Sequence, residues 1–303
     1  MTSVISVISV VKLRDRMQRV IINADDFGLS PGVNRGIVTA FTDGILTSTT
    51  MLVNLGSFDD AVALAHHHPG LPVGIHLSLL WGRPVLDPAA VPSLVERDGT
   101  FPRSLTVLAR RYFLGTLNLE HVRSEFRAQI ERFRRAGLTP THVDSHKHVH
   151  CLAGVLRALA DVAAEQGIRR ARFPYEDGLA AGTENNHSAA SGSAKARWKS
   201  RIVRYLSRGG RATLDSHGIQ TTDHFIGIEY MDRLDADALR FILSHLRDGV
   251  TELMCHPGYD DRLARQYSGV PPHRDAELAA LQSAAVRECL VARGIQRISY
   301  SDI

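Results

Sequence analysis

Cysteine is scarce: Cys151, Cys255 and Cys289 are the only three in 303 residues. None stands in a CxxC pair and one is left over, so a disulfide framework or a thiolate zinc knuckle is excluded, and free thiols in a reducing, cytoplasmic setting are expected. Long apolar runs are also missing. The N-terminal "MTSVISVISVV" offers about ten weakly apolar residues, too few to span a bilayer, and no small-residue cleavage site follows. Residues 1–17 are therefore expected to be a disordered or non-native extension. Charge of one sign is not concentrated either; a formal net charge of +4 without a basic arm gives no footing for nucleic acid. What remains is 44% hydrophobic and 22% charged, the composition of a globular chain with a large core.

Apolar β-forming runs alternate with helical patterns along most of the chain. Strands are predicted near 18–24, 45–53, 72–79, 140–146, 169–174, 223–228, 250–255 and 297–301. Helices are predicted after Ser30-Pro31 and near 57–67, 119–136, 151–166, 195–208, 234–247 and 274–293. Repeated βα units need parallel strands with helical crossovers. Seven or eight of them in 18–303 suit one (β/α) barrel, incomplete or distorted, better than the alternative of an open doubly wound sheet. The stretches 81–118 and 177–215 interrupt the alternation and read as insertions, the second opening with the polar "DGLAAGTENNHSAASGS".

Four apolar strands finish in Asp or His. "VIINADD" ends in Asp25 and Asp26, "VGIHLS" carries His76, "THVDSHKHVH" carries Asp144, His146 and His148, and "ELMCHPGYDD" carries His256. Singly these have ordinary readings: "DD" before glycine marks a turn, and a lone His in an apolar run is a core residue. Together they are different, because parallel barrels gather the carboxyl ends of their strands on one face. Two His and one Asp from three strands make a mononuclear metal site with room for water, and we take Asp26, His76 and His146 as its ligands. Asp25 is then free to act as general base, and His256, before the rigid Pro257-Gly258, to act as acid for a leaving group. That arrangement describes metal-assisted hydrolysis. Arg172, Asp144 and His148 are candidate substrate contacts.

The blocks "NADDFGLSPGVNRGI", "GILTSTTMLVN", "VGIHLSL" with "GRPV", "THVDSHKHVH" and "HPGYDD" occur in the order found in the YdjC-like carbohydrate deacetylases, the ChbG/HpnK family, which residues 18–300 resemble. The resemblance implies a barrel related to the polysaccharide deacetylases, one divalent metal (Mg2+ by resemblance, with Zn2+ chemically plausible), and removal of acetyl groups from N-acetylated sugars. Its metal positions fall on Asp26, His76 and His146. "RYFL", "RFPYE", "TTDHFIGI" and "GVTELMCHPGY" are closer to the hopanoid-associated HpnK branch, whose expected substrate is an N-acetylglucosaminyl lipid; a chitobiose deacetylase is the alternative. A two-metal phosphoesterase and a non-catalytic sugar-binding barrel fit less well, the first because it needs more ligands. Residues 195–211, "KARWKSRIVRYLSRGGR", hold seven Lys or Arg and no acid, with Trp198, Ile202, Val203 and Leu206 spaced for one helical face. They read as an interfacial helix for peripheral membrane contact, or else as a basic surface helix covering the barrel. A homodimer is one assembly such a chain allows.

Overall fold

The computed structural model describes residues 17–177, 179, 192–268 and 273–303. Residues 1–16, and 178 and 180–191 of the second interruption, lie outside them. Every strand pairing is parallel. The strands β1 (Gln18–Phe27), β2 (Ser48–Met51), β3 (Val73–Leu77), β4 (Val143–Ser145), β5 (His224–Ile226), β6 (Gly249–Cys255) and β7 (Gln296–Arg297) form one sheet. Its order is β4-β3-β2-β1-β6-β5, with β7 against the foot of β1. Two single bridges carry the hydrogen bonding onward, Val143 to Ala171 and Arg170 to Gln220, so the sheet curls toward closure between β4 and β5. This is the incomplete (β/α) barrel expected from the alternation.

Period-two alternation explains what the strands bury. Val20, Ile22 and Ala24 of β1, Ile75 and Leu77 of β3, and Val143 of β4 point outward into the main apolar core beneath the helices. The alternate positions turn inward and are mostly polar: Asn23, Asp25, Thr50, His76, Asp144 and Glu252, all buried. A barrel of this kind is ordinarily filled by branched apolar residues. Here only the foot is, by Ile21, Val250 and Ile298 around Tyr300.

The helices are α1 (Pro31–Thr42), α2 (Phe58–His67), α3 (Leu105–Phe113), α4 (Leu119–Arg135), α5 (Ala153–Glu165), α6 (Ala194–Leu206), α7 (Gly210–Ser216), α8 (Ala236–Ser244), α9 (Arg262–Ser268), α10 (Arg274–Gln282) and α11 (Ala284–Ala292). Ser30 caps α1 by accepting the N–H of Val33, and Pro31 opens it, as its sequence suggests. Val122, Phe126, Ile130 and Phe133 form the buried face of α4. Four expectations need correction. The strand near 169–174 reduces to the two bridges, and Pro174, which has no N–H to donate, follows directly. The strand near 297–301 stops at Arg297, because Ser299 and Asp302 form a capping box that winds 300–302 into a 3-10 turn. The helix over 274–293 breaks at Ser283, whose backbone is extended (φ −62°, ψ 129°). The interruption 81–118 contains α3, capped by Ser104.

The inner side of α6 is tied to the barrel through Glu176. Its carboxyl accepts the N–H of Gly227 (2.7 Å) and of Glu229 (3.0 Å) and bonds Ser200 of α6. Burial pushes its pKa up to about 7 against those hydrogen bonds. The folded value lies above the unfolded one, so the folded state holds the extra proton between about pH 4.5 and 7 and stability falls as pH rises through that window. The slope corresponds to about 3 kcal/mol across the window. Urea unfolding of Glu176→Gln at several pH values is expected to lack this component.

Candidate metal centre

Adjacent strand residues normally face opposite sides, yet Asp25 and Asp26 both reach the interior. The register of β1 against β2 shifts between Ala24 and Phe27, and Asp26 takes a left-handed backbone with φ 73°. Such a bulge turns the second carboxylate to the side of the first. Gly28 follows at φ 93°, and a Cβ there would stand 2.5 Å from the carbonyl oxygen of Leu52. Glycine is required by that approach. The other non-glycine residues at positive φ among those described are Trp81, Lys147 and His148, the last two directly after His146. Backbone strain of this kind collects at functional sites.

The structure brings Asp26, His76 and His146 together. Asp26 Oδ1 lies 3.0 Å from Nδ1 of His146 and 3.7 Å from Nε2 of His76. It is buried and, despite the approach of His146, makes no hydrogen bond of good geometry among the described residues. Donors at ~2.1 Å from one cation stand roughly 3–3.5 Å apart; the Asp26–His146 pair has that spacing, and all three ligand atoms lie within 4.8 Å of one another, close enough to share one ion after a small adjustment. Arg274, from α10, donates to Asp26 Oδ2 at 2.6 Å and leaves Oδ1 as the free oxygen. His76 is oriented from behind: its Nδ1 is 2.6 Å from Asp144 Oδ1 and 3.2 Å from Thr50 Oγ1, which presents Nε2 to the site. A second group, Asp25, His76 and Asp144, is equally close. Its carboxylates, however, are engaged by Arg172, so the first group is the one with donors to spare.

Burial alone would raise Asp26, but His146 and Arg274 hold it well below the usual carboxylate range. Burial opposes the charge on His76, yet Asp144, Asp25 and Asp26 raise it to about 9. Surroundings that favour a proton so strongly favour a cation in its place. Burial lowers His146, which keeps its nitrogen lone pair available.

Asp25 is 3% exposed. Its Oδ1 accepts from Asn23 (3.0 Å) and from Arg172 (2.6 Å), and its Oδ2 accepts, among the described residues, from Arg172 alone (2.7 Å). Burial raises its pKa, but Arg172 and His76 outweigh that and keep it ionised. His256 stands half-buried just past the end of β6, its backbone N–H donating to Glu277 Oε2 at 2.5 Å. Burial lowers its pKa to about 4, against the pull of Asp25 and Asp26.

Three expected substrate contacts are placed elsewhere. Arg172 and Asp144 are 0% exposed and offer no surface to a substrate. Arg172 sits among Asp25, Asp144 (2.6 Å) and Glu252 (2.8 Å), an internal cation shared by three carboxylates. His148 is buried with its ring edge-on to Phe225 and His150. Sequence reasoning also missed Arg274, Thr50, Glu252 and Tyr300, whose hydroxyl donates to Glu252 (2.6 Å) and whose ring stacks on His142 at 3.7 Å. A glutamate in mid-strand, "VTELMC", at an inward position was a legible signal for Glu252. Nothing local marks Arg274.

Known proteins match this chain nearly end to end. A carbohydrate deacetylase of Geobacillus stearothermophilus is 37% identical over 93% of this chain and 96% of its own. A chitooligosaccharide deacetylase of Yersinia pestis (strain Pestoides F) is 32% identical over 93% and 98%. The crystal structure of an Enterococcus faecalis V583 protein, provisionally described as a cellobiose-phosphate cleavage protein, superposes with a TM-score of 0.75 at 28% identity, covering 94% of this chain and 98% of that one. The family described as YdjC-like protein matches residues 19–292, from the foot of β1 to the end of α11. The chain, with Asp26, His76 and His146 converging at the carboxyl end of its barrel, belongs to the YdjC-like protein family.

Proposed function

We propose that this site hydrolyses the acetamide of an N-acetylated amino sugar with the help of one divalent metal held by Asp26, His76 and His146. The observation that carries the reading is the buried Asp26 Oδ1, without a hydrogen bond of good geometry among the described residues, beside two imidazole nitrogens, with a second carboxylate locked next to it. The relatives named carbohydrate and chitooligosaccharide deacetylases support the reaction class. A bound cation supplies Lewis acidity toward an amide carbonyl and toward water. Asp25 takes the proton of the attacking water at Oδ2, the oxygen with the spare lone pair. Arg172 fixes both its oxygens and so sets the direction of that lone pair. The proton that Asp25 takes from water is the one the departing amine needs, and His256, uncharged at rest, is the group that relays it. Two imidazoles and a carboxylate suit Zn2+, whereas Mg2+, the ion implied by family resemblance, prefers oxygen donors.

The finer reading takes an N-acetylglucosaminyl hopanoid lipid as substrate, on the HpnK-like blocks; chitobiose suits the same catalytic set and fits the chitooligosaccharide deacetylase relatives equally well. Acetate release from both, after EDTA treatment and with Mg2+ or Zn2+ restored separately, tests the proposal. The expected result is loss on chelation and recovery with one ion. Full turnover by metal-free protein would remove the metal, and no acetate from either compound would remove the reaction. Asp25→Asn is expected to lower turnover about 10²–10⁴-fold while metal binding is retained; undiminished turnover would take the base away from Asp25.

A further inference from the structure

Helix α6 turns its small residues inward and its large ones out. Ala196, Ser200 and Val203 are buried, whereas Trp198, Ile202 and Tyr205, at i, i+4 and i+7, are 63%, 41% and 64% exposed. The face expected from the sequence is thereby revised: Val203 packs on the barrel, Leu206 is half-buried, and Tyr205 joins Trp198 and Ile202 outside. Lys195, Arg201 and Arg208 are exposed around them, the guanidinium of Arg208 lying over the Tyr205 ring at 5.1 Å. Residues 192–211 contain no acid.

A second patch stands independently at the end of α3. Phe113 and Leu114 are 65% and 63% exposed beside the exposed Arg110. The preceding Tyr112 accepts the N–H of Gly154 at 3.0 Å, at the head of α5. Gly154 closely follows the 146–151 turn that carries His146, and α6 packs against that same turn. Both patches are thus tied to the segment holding a candidate ligand, which follows β4 at the carboxyl end of the barrel. Five of the nine large apolar residues exposed among those described belong to them.

Scattered exposed apolar residues need no explanation, but a helix face of Trp, Ile and Tyr on a segment whose own charges are all cationic has the composition of an interfacial helix, although Asp232 accepts the N–H of Ser193 at its start. Trp and Tyr settle at headgroup depth, and Lys and Arg are drawn to an anionic leaflet. No helix among the described residues is long and apolar enough to cross a membrane, so the contact is peripheral. We propose that the outer face of α6 and the end of α3 dock this protein on an anionic lipid surface, with the site opening beside the headgroups. The proposal does not depend on the deacetylase reading, since a soluble sugar would be hydrolysed without it.

Flotation of the full chain with vesicles of phosphatidylcholine, with and without phosphatidylglycerol, at about 0.15 M salt tests this. Binding to the anionic vesicles only is expected, weakened at least about tenfold both in Trp198→Ser/Tyr205→Ser and in Phe113→Ser/Leu114→Ser. Circular dichroism and urea unfolding should be the same in all three proteins, which reports that the variants fold whatever reaction the site performs. Absence of binding, equal binding to neutral vesicles, or undiminished binding by either pair of substitutions would overturn the proposal.

Discussion

Asp26→Asn is expected to abolish metal binding and to lower acetate release by about 10³-fold or more while leaving the fold intact. Asparagine is chosen because the position sits at φ 73°, a left-handed conformation that asparagine tolerates and alanine does not. The substitution keeps an oxygen for Arg274, which is only 4% exposed and would otherwise lose its 2.6 Å carboxylate partner and keep a long bond (3.4 Å) to the carbonyl of His256. What it removes is the negative charge at Oδ1, the atom facing His76 and His146. Metal titration followed by calorimetry, together with acetate release at saturating metal, separates the two effects. A variant that still binds one metal with near-native affinity would exclude Asp26 as a ligand.

Arg172→Met should be the most damaging single change to stability. The guanidinium is 0% exposed and lies between Asp25, Asp144 and Glu252. Methionine fills part of the volume but leaves buried carboxylates without their cation, a change that costs about 3–5 kcal/mol where a buried pair is broken on one side. The pH dependence follows from Asp25. With Arg172 present, its folded pKa lies below the ordinary 3.8, so its contribution to stability is in place above that value and is lost as pH falls through the lower folded one. Without Arg172, burial raises the carboxylate instead, and the folded state gains by taking up a proton. The stability gap between the two proteins is therefore expected to be widest near neutrality and to narrow toward about pH 4. Urea unfolding at both ends of that range measures it, and a gap independent of pH would show that Arg172 acts through packing rather than charge. Activity should fall as well, since Asp25 loses both hydrogen bonds from Arg172 and keeps the one from Asn23.

These two residues show where sequence reasoning succeeds and where it stops. Asp26 was legible because a carboxylate at the end of a β-rich run, joined by histidines at the ends of others, implies convergence on the carboxyl face of a parallel barrel. The polar inward positions of β3 and β4 were legible for a related reason, since period two follows from backbone geometry alone. Arg172 was legible as an unusual charge in "RFPYE" but was assigned to the substrate. Its direction depends on three carboxylates brought from β1, β4 and β6, none of them near it in sequence. Asp144 and His148 were displaced in the same way, one behind His76 and the other among aromatic rings.

By itself, then, the sequence determined the alternation of strands and helices, the parallel barrel it requires, the strand ends that carry Asp25, Asp26, His76, His146 and His256, and the family blocks around them. These are local properties: side-chain period, capping chemistry and the order of motifs along one chain. Only the tertiary structure decided that a bulge and a left-handed Asp26 set two neighbouring carboxylates to one side, that Arg274 leaves one oxygen of Asp26 free, and that α6 hides Val203 while exposing Tyr205. Each of those depends on a partner strand or a charge well removed along the chain, β2 for the bulge and Arg274 for the free oxygen, or on which side of an element the barrel covers, and no local pattern encodes either.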